Sequence, residues 1–205
     1  MSSKKLFLAS SFADVVDLFA QFEPNSQGKT VTFIPTASFV ESIVFYVNTG
    51  KKALESLGLS IEILDIATAS YEEIRSKILN NDYIYVTGGN TFYLLQEMKK
   101  SGAAQLISSA VESGKLYIGE SAGAIITAPH IDYVARMDDA SKAPDLKDFK
   151  GLDLAPCFTL PHHQEFPFTE ITETIMDQYS AHLNLMPINN HQALILLDDE
   201  VKVFE

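Results

Sequence analysis

An apolar run that ends at a glycine-flanked serine, Leu116-Tyr117-Ile118-Gly119-Glu120-Ser121-Ala122-Gly123-Ala124-Ile125-Ile126, leaves this chain few ways to fold. Leu116, Tyr117 and Ile118 in succession suit a strand buried on both faces, and the small and apolar residues after Ser121 suit a helix packed tightly behind it. Joining the two through Gly-x-Ser-x-Gly requires a sharp strand-to-helix turn, in which the glycines make room and the serine hydroxyl projects above a sheet. A serine so placed is a candidate nucleophile. Free N–H groups at the start of the helix favour negative charge at the same point. The same residues would also suit a serine that only caps a helix, and the apolar strand before them is what favours the nucleophile.

The rest of the chain alternates in the same way. Strands are expected at Leu6–Ala9, Thr30–Ile34, Ile61–Ile66 and Asp82–Val86, each followed by apolar residues at helical spacing. These are Val15, Val16, Leu18, Phe19 and Phe22; then Ile43, Val44, Val47, Leu54 and Leu57, closed by Gly58; then Ile74 and Ile78; then Phe92, Leu94, Leu95 and Met98. A further helix over Ala103–Ser113 leads into the strand that carries Ser121. Such alternation predicts an α/β fold, a parallel sheet with helices on both faces and its site at the carboxyl ends of the strands. Gly88-Gly89, after the fourth strand, then shares a rim with Ser121, whether as a close approach to a ligand or as a tight turn. From Pro129 to Pro144 the pattern dissolves into a long excursion of the kind that often serves function. Phe158–His163 reads as another strand, one that delivers histidines to the rim, Thr169–Tyr179 as a last helix, and Ala193–Leu197 with Val201–Phe204 as a terminal hairpin.

With 205 residues, one domain spanning residues 1–205 is expected. A net charge of -12, from 27 acidic and 15 basic residues, repels phosphate backbones and anionic membranes, so nucleic acid is not an expected partner. No apolar stretch is long enough to span a bilayer. Cys157 is the only cysteine, which excludes an internal disulfide and suits a cytoplasmic setting.

A serine hydroxyl needs a base to attack a carbonyl at neutral pH. Of the 5 histidines, His162 is the first candidate, because it follows an apolar strand and Pro161; its neighbour His163 is the second. No carboxylate or further histidine stands at ligand spacing from them, so no metal is expected.

Thr87-Gly88-Gly89-Asn90-Thr91-Phe92, Gly119-Glu120-Ser121-Ala122-Gly123-Ala124 and Leu160-Pro161-His162, in this order and spacing, resemble the peptidase E or aspartyl dipeptidase family of serine peptidases, family S51, which includes the cyanophycinases. The resemblance covers most of the chain. It implies a flavodoxin-like sheet similar to that of class I glutamine amidotransferases, with Ser121 as nucleophile and His162 as base. It also implies an oxyanion site at the backbone of Gly89 and Ala122, with Gly88 and Asn90 beside it. No cofactor is implied. The family's acid at the third position falls on Arg136 or Ile188 here, and neither can orient an imidazole. Asp138 is the first substitute, followed by Asp139, Asp132, Asn189 and Asn190. Arg136, one of only two arginines, is a candidate for a substrate carboxylate. The expected activity is hydrolysis of a small peptide by a monomer or homodimer. Two further readings stay open: an esterase or amidase on the same scaffold, and a binding module that has lost catalysis.

Overall fold

The computed structural model describes residues 3–205; Met1 and Ser2 of the expected domain lie outside them. In chain order the elements are β1 (Lys5–Ala9), α1 (Val16–Phe22), β2 (Thr30–Ile34), α2 (Phe45–Ser56), β3 (Ser60–Ile63), α3 (Tyr71–Asn80), β4 (Tyr83–Val86), α4 (Thr91–Ser101), α5 (Ala103–Glu112), β5 (Leu116–Glu120), α6 (Ala122–Ile125), β6 (Phe158–Leu160), α7 (Thr169–Tyr179), β7 (Leu185–Pro187), β8 (Ala193–Leu197) and β9 (Glu200–Phe204). A seven-stranded sheet has the order β3-β2-β4-β5-β1-β8-β9. Its first five members are mutually parallel, whereas β8 runs antiparallel to β1 and β9 antiparallel to β8.

Because successive side chains on a strand point to opposite faces, each central strand feeds two cores. Leu6 and Leu8 of β1, Ile84 and Val86 of β4 and Tyr117 of β5 pack with α3, α4 and α5. Phe7 and Ala9, Tyr83 and Tyr85, and Leu116 and Ile118 pack on the other side with α1 and α2. The helices on both faces are those expected of the α/β alternation. The terminal hairpin joins this same sheet, β8 lying against β1 along its whole length. No helix among the described residues is long and apolar enough to cross a membrane.

Three elements differ from the sequence expectation. Ile43 and Val44, placed in the second helix by their spacing, precede it and are exposed, as is Phe45. The chain between β2 and α2 is taken up by a 3-10 turn over Thr36–Val40 that packs Ala37 under the Gly88-Gly89 turn, so the helix starts later. The third strand is shorter than Ile61–Ile66, because pairing with β2 ends at Phe33–Ile63; Leu64 and Ile66 stay buried as loop residues. β6 likewise ends at Leu160, before the two histidines.

The turn after β5 is built on backbone contact. A Cβ placed on Gly123 would lie 2.2 Å from the Val86 carbonyl oxygen of β4, and one on Gly119 would lie 2.4 Å from the Gly123 oxygen. Backbone cannot move aside as a flexible side chain can. Gly123→Ala is therefore expected to destabilise the protein by at least about 1–3 kcal/mol through overpacking, measured as a lower urea midpoint with unchanged slope. An unchanged midpoint would show that α6 can lift from β4 at no cost.

Candidate active site

The carboxyl ends of β1, β2, β4 and β5 converge, and Ser121 stands at their centre. Its backbone has φ 50° and ψ −108°, a left-handed setting that a non-glycine residue rarely adopts. The surroundings hold it there. The Ser121 N–H donates to the Ala9 carbonyl at 2.9 Å, and its own carbonyl accepts from the N–H groups of Ala124 and Ile125, each at 2.9 Å.

The Ser121 hydroxyl lies 3.0 Å from Nε2 of His162, and Nδ1 of the same ring lies 3.0 Å from Oδ1 of Asn190. An amide oxygen only accepts, so Nδ1 carries the ring proton and Nε2 offers its lone pair to the serine O–H. Phe168 stacks on the ring, centroids 4.7 Å apart and planes 21° from parallel. Burial lowers the His162 pKa from its ordinary value, against the opposing pull of the Asn190 hydrogen bond and the charge of Glu165. The ring is thus neutral and able to accept a proton at pH 7.

Residues from distant parts of the chain bring His162 and Asn190 together. β6 and β7 form a two-stranded parallel ribbon in which Leu160 pairs with Pro187. The chain continues from one strand to His162 and from the other to Asn190. Ser10, just past β1, receives the His162 N–H at 3.0 Å and donates its hydroxyl to the Ile188 carbonyl at 3.0 Å. The His163 N–H donates to that same carbonyl at 3.1 Å. The His163 side chain instead turns away to Glu173 at 3.4 Å.

The Gly88-Gly89 turn closes over the serine. A Cβ on Gly88 would stand 3.1 Å from Cβ of Ser121 and 3.5 Å from the Tyr46 ring. Gly89 has φ 135°, and a Cβ there would lie 2.2 Å from the Ala37 backbone, so only glycine fits. The N–H groups of Gly89 and Ala122 donate to no protein group among the described residues, whereas the Asn90 N–H donates to Ala37 at 2.9 Å. Asn90 is also occupied at both ends of its side chain. Its oxygen caps α4 by accepting from the Tyr93 N–H at 3.0 Å, and its amide donates to the Asp139 carbonyl at 3.1 Å. Both bonds tether the Gly88-Gly89 turn to α4 and to the rim loop.

Asp138, the first candidate for the third position, is corrected by this geometry. Its carboxylate accepts from the Thr91 N–H at 2.8 Å, at the N-terminus of α4, and makes no hydrogen bond to His162. A helix start offers donors that a carboxylate satisfies well, which is reason enough for the acid to sit there. Three more candidates for that position are engaged away from the imidazole: Asp139 caps the Ser141 N–H, Asp132 pairs with His130, and Asn189 accepts from the His191 N–H. Arg136 is exposed on the rim loop and makes no ion pair among the described residues. Ser10, Tyr46 and Phe168 carry no sequence signal, since each acts through a contact with a residue far away in the chain.

Burial pushes the Asp138 carboxyl up to about 6, although the Thr91 N–H stabilises its charge. A folded pKa above the unfolded value means stability that is full at low pH and fades as pH rises through about 6. Asp138→Asn keeps an acceptor for Thr91 without the charge. Its unfolding free energy is expected to fall less than that of the native protein between about pH 4 and pH 7, by roughly 1.4 kcal/mol per unit of raised pKa. Urea titrations at the two pH values measure it, and parallel losses in both proteins would remove Asp138 from this role.

Comparison with known proteins accords with this architecture. The family model described as peptidase family S51 matches residues 1–204. An uncharacterized peptidase of Listeria monocytogenes is 57% identical over 198 residues, covering 97% of each chain. One of Pasteurella multocida is 54% identical over 200 residues, covering 98% of this chain and 96% of its own. A peptidase E of Actinobacillus pleuropneumoniae is 34% identical over 162 residues, covering 79% and 66%. A crystal structure of a Listeria monocytogenes protein, provisionally assigned as a peptidase E, superposes with a TM-score of 0.96 at 55% identity, covering 100% of this chain and 99% of that one. A peptidase from an acI-B1 actinobacterium, 21% identical, shares the fold with a TM-score of 0.70. Matched from end to end by the family model, and by relatives of this identity, the chain is a peptidase hydrolase and belongs to peptidase family S51.

Proposed function

We propose that this peptidase is of the serine type and cleaves small peptides, with Ser121 as nucleophile, His162 as general base and Asn190 as the group that orients the imidazole. The observation that carries the reading is the unbroken line of hydrogen bonds Ser121–His162–Asn190, 3.0 Å at each step, on a serine held in a strained turn. Geometry of this kind identifies a nucleophile and its base on any fold.

In the first step the Ser121 oxygen attacks the scissile carbonyl and its proton passes to Nε2 of His162. The amide oxygen of Asn190 and the nearby charge of Glu165 stabilise the imidazolium that forms. The N–H groups of Gly89 and Ala122, which have no protein acceptor among the described residues, are the donors this scheme assigns to the developing oxyanion. His162 then returns the proton to the departing amine, leaving an ester on Ser121. Water, deprotonated by the same ring, attacks the ester; the bond from the acyl carbon to the Ser121 oxygen breaks, His162 returns the proton to that oxygen, and the second product leaves as the carboxylic acid. Arg136, exposed on the rim loop and without an ion pair among the described residues, is the cation left to meet a substrate carboxylate. Cys157, buried and free, accords with a cytoplasmic setting.

A fluorophosphonate probe tests the reading, since it labels only an activated serine. The native protein is expected to gain one adduct by intact mass, and Ser121→Ala and His162→Ala to gain none. Asn190→Ala is expected to label about 10²-fold more slowly, the scale of a general-base contribution, and Asp138→Asn at close to the native rate. A folded native protein that stays unlabelled would sink the serine-peptidase reading. Labelling that survives in Asn190→Ala but fails in Asp138→Asn would return the third role to the acid.

A further inference from the structure

The residue before the nucleophile is a carboxylic acid that the reaction scheme leaves unused. Glu120 is 3% exposed, at the end of a central strand, and takes part in no ion pair among the described residues. Its neighbours Leu116, Ile118 and Tyr85 belong to the core beneath α1 and α2, so its side chain runs under the turn while Ser121 projects above it. Oε1 accepts from the Phe12 N–H at 3.0 Å and Oε2 from the Tyr85 hydroxyl at 2.9 Å. The Gly88 amide also stabilises the charged form. α2 seals the group from water at Gly50, where a Cβ would lie 2.6 Å from the Tyr85 oxygen and 3.5 Å from Oε2 of Glu120.

A buried acid is costly, and an apolar residue of similar size would serve packing better. What distinguishes this one is where its donors come from. Phe12 belongs to the segment that leaves β1 beside Ser10, which holds the His162 backbone. Tyr85 lies on the strand that ends in Thr87-Gly88-Gly89, and Gly88 is in that turn. We infer that Glu120, in its ionised form, is a positioning residue that ties the Gly88-Gly89 turn and the Phe12 segment to the strand carrying Ser121, and so aims the Gly89 N–H at the oxyanion. This rests on the serine-peptidase reading proposed above.

The cradle favours the charge. The Phe12 N–H cannot accept, so a protonated carboxyl directs its O–H at Tyr85 and turns that hydroxyl from donor to acceptor. The groups facing Glu120 are Tyr85 from β4, Asp14 from the turn after β1 and Tyr46 from α2, with the amides of Phe12 and Gly88. Burial raises the Glu120 carboxyl to about 7, with the hydrogen bonds from Phe12 and Tyr85 and the Gly88 amide opposing and Asp14 adding to it. His162 titrates below its ordinary 6.5. The loss of activity on acidification therefore reports Glu120 first and the histidine only at lower pH.

The test is the rate of fluorophosphonate labelling across about pH 5 to pH 9. In this reaction the Ser121 oxygen bonds to phosphorus, fluoride leaves, and the serine proton goes to His162, so the P=O oxygen probes the oxyanion site directly. The native rate is expected to fall by half near pH 7 on acidification. Glu120→Gln places an amide among donors. It is expected to react roughly 10- to 100-fold more slowly at high pH, with its remaining acid limb moved below 6.5. Tyr85→Phe removes one stabilising donor and is expected to move the limb the other way, above the native value. It decides the question alone if Glu120→Gln does not fold. A native protein that labels with a limb unmoved in the folded variants reduces Glu120 to packing and overturns the inference. A native protein inert at every pH overturns the peptidase reading instead, and the inference with it.

Discussion

The site depends on a contact between backbones. Where β5 turns into α6, Gly119 packs against the carbonyl of Gly123, and Gly123 packs against the carbonyl of Val86 in the neighbouring strand. The Tyr117 hydroxyl fastens the arrangement by donating to the Gly123 oxygen at 2.7 Å. No rotamer change can relax such a contact, because the nearest atoms on each side are main chain. The helix is therefore held close to the sheet, and the single residue that spans the gap, Ser121, is forced to positive φ. Its hydroxyl then points out of the sheet, where an imidazole can reach it.

The imidazole is delivered by a second and weaker device. β6 and β7 pair over three residues each, too few to be stable in isolation. They are anchored because the Ile188 carbonyl collects both the Ser10 hydroxyl and the His163 N–H, and the Ile188 N–H donates to Leu160 at 3.0 Å. This arrangement joins His162, Asn190 and the end of β1 in one network. A serine held by rigid backbone contacts thus meets an imidazole held mainly by hydrogen bonds, Ser10 among them.

What the sequence discloses and what it hides follow from this difference. β1, β4 and β5 carry continuous apolar runs, β2 is rich in β-branched residues, and the Gly-x-Ser-x-Gly turn is local, so strands, turn and serine can be read from neighbouring residues. His162 is legible because it follows β6 and a proline. Asn190 is one of several polar residues that the sequence offers for the third position, because its pairing with His162 depends on β7, a strand of Leu185, Met186 and Pro187 that carries no strand signature of its own. Charge and a place in the rim loop favour Asp138. The sequence does not show that the start of α4 lies close enough to claim that carboxylate. Spacing alone draws Ile43 and Val44 into α2, while the 3-10 turn at Thr36–Val40 is imposed by the close approach of Gly89 to Ala37.

The distribution of charge around the reacting groups follows from the cost of burial. The orienting partner of His162 is a neutral amide, while the buried acid sits on the other side of the elbow, beneath Ser121. A carboxylate at Asn190 would hold the imidazolium more strongly, but it would also be one more desolvated charge beside Glu165, in a region where Glu120 and Asp138 are already pushed above the usual carboxylate range. With an amide there, burial keeps the resting ring neutral, and the Asn190 oxygen fixes which nitrogen carries the proton. Glu120 is meanwhile surrounded by donors that stabilise its negative charge. The buried acid thus sits where the Phe12 N–H and the Tyr85 hydroxyl oppose part of the cost of its charge, and the neutral amide where the imidazole is neutral at rest.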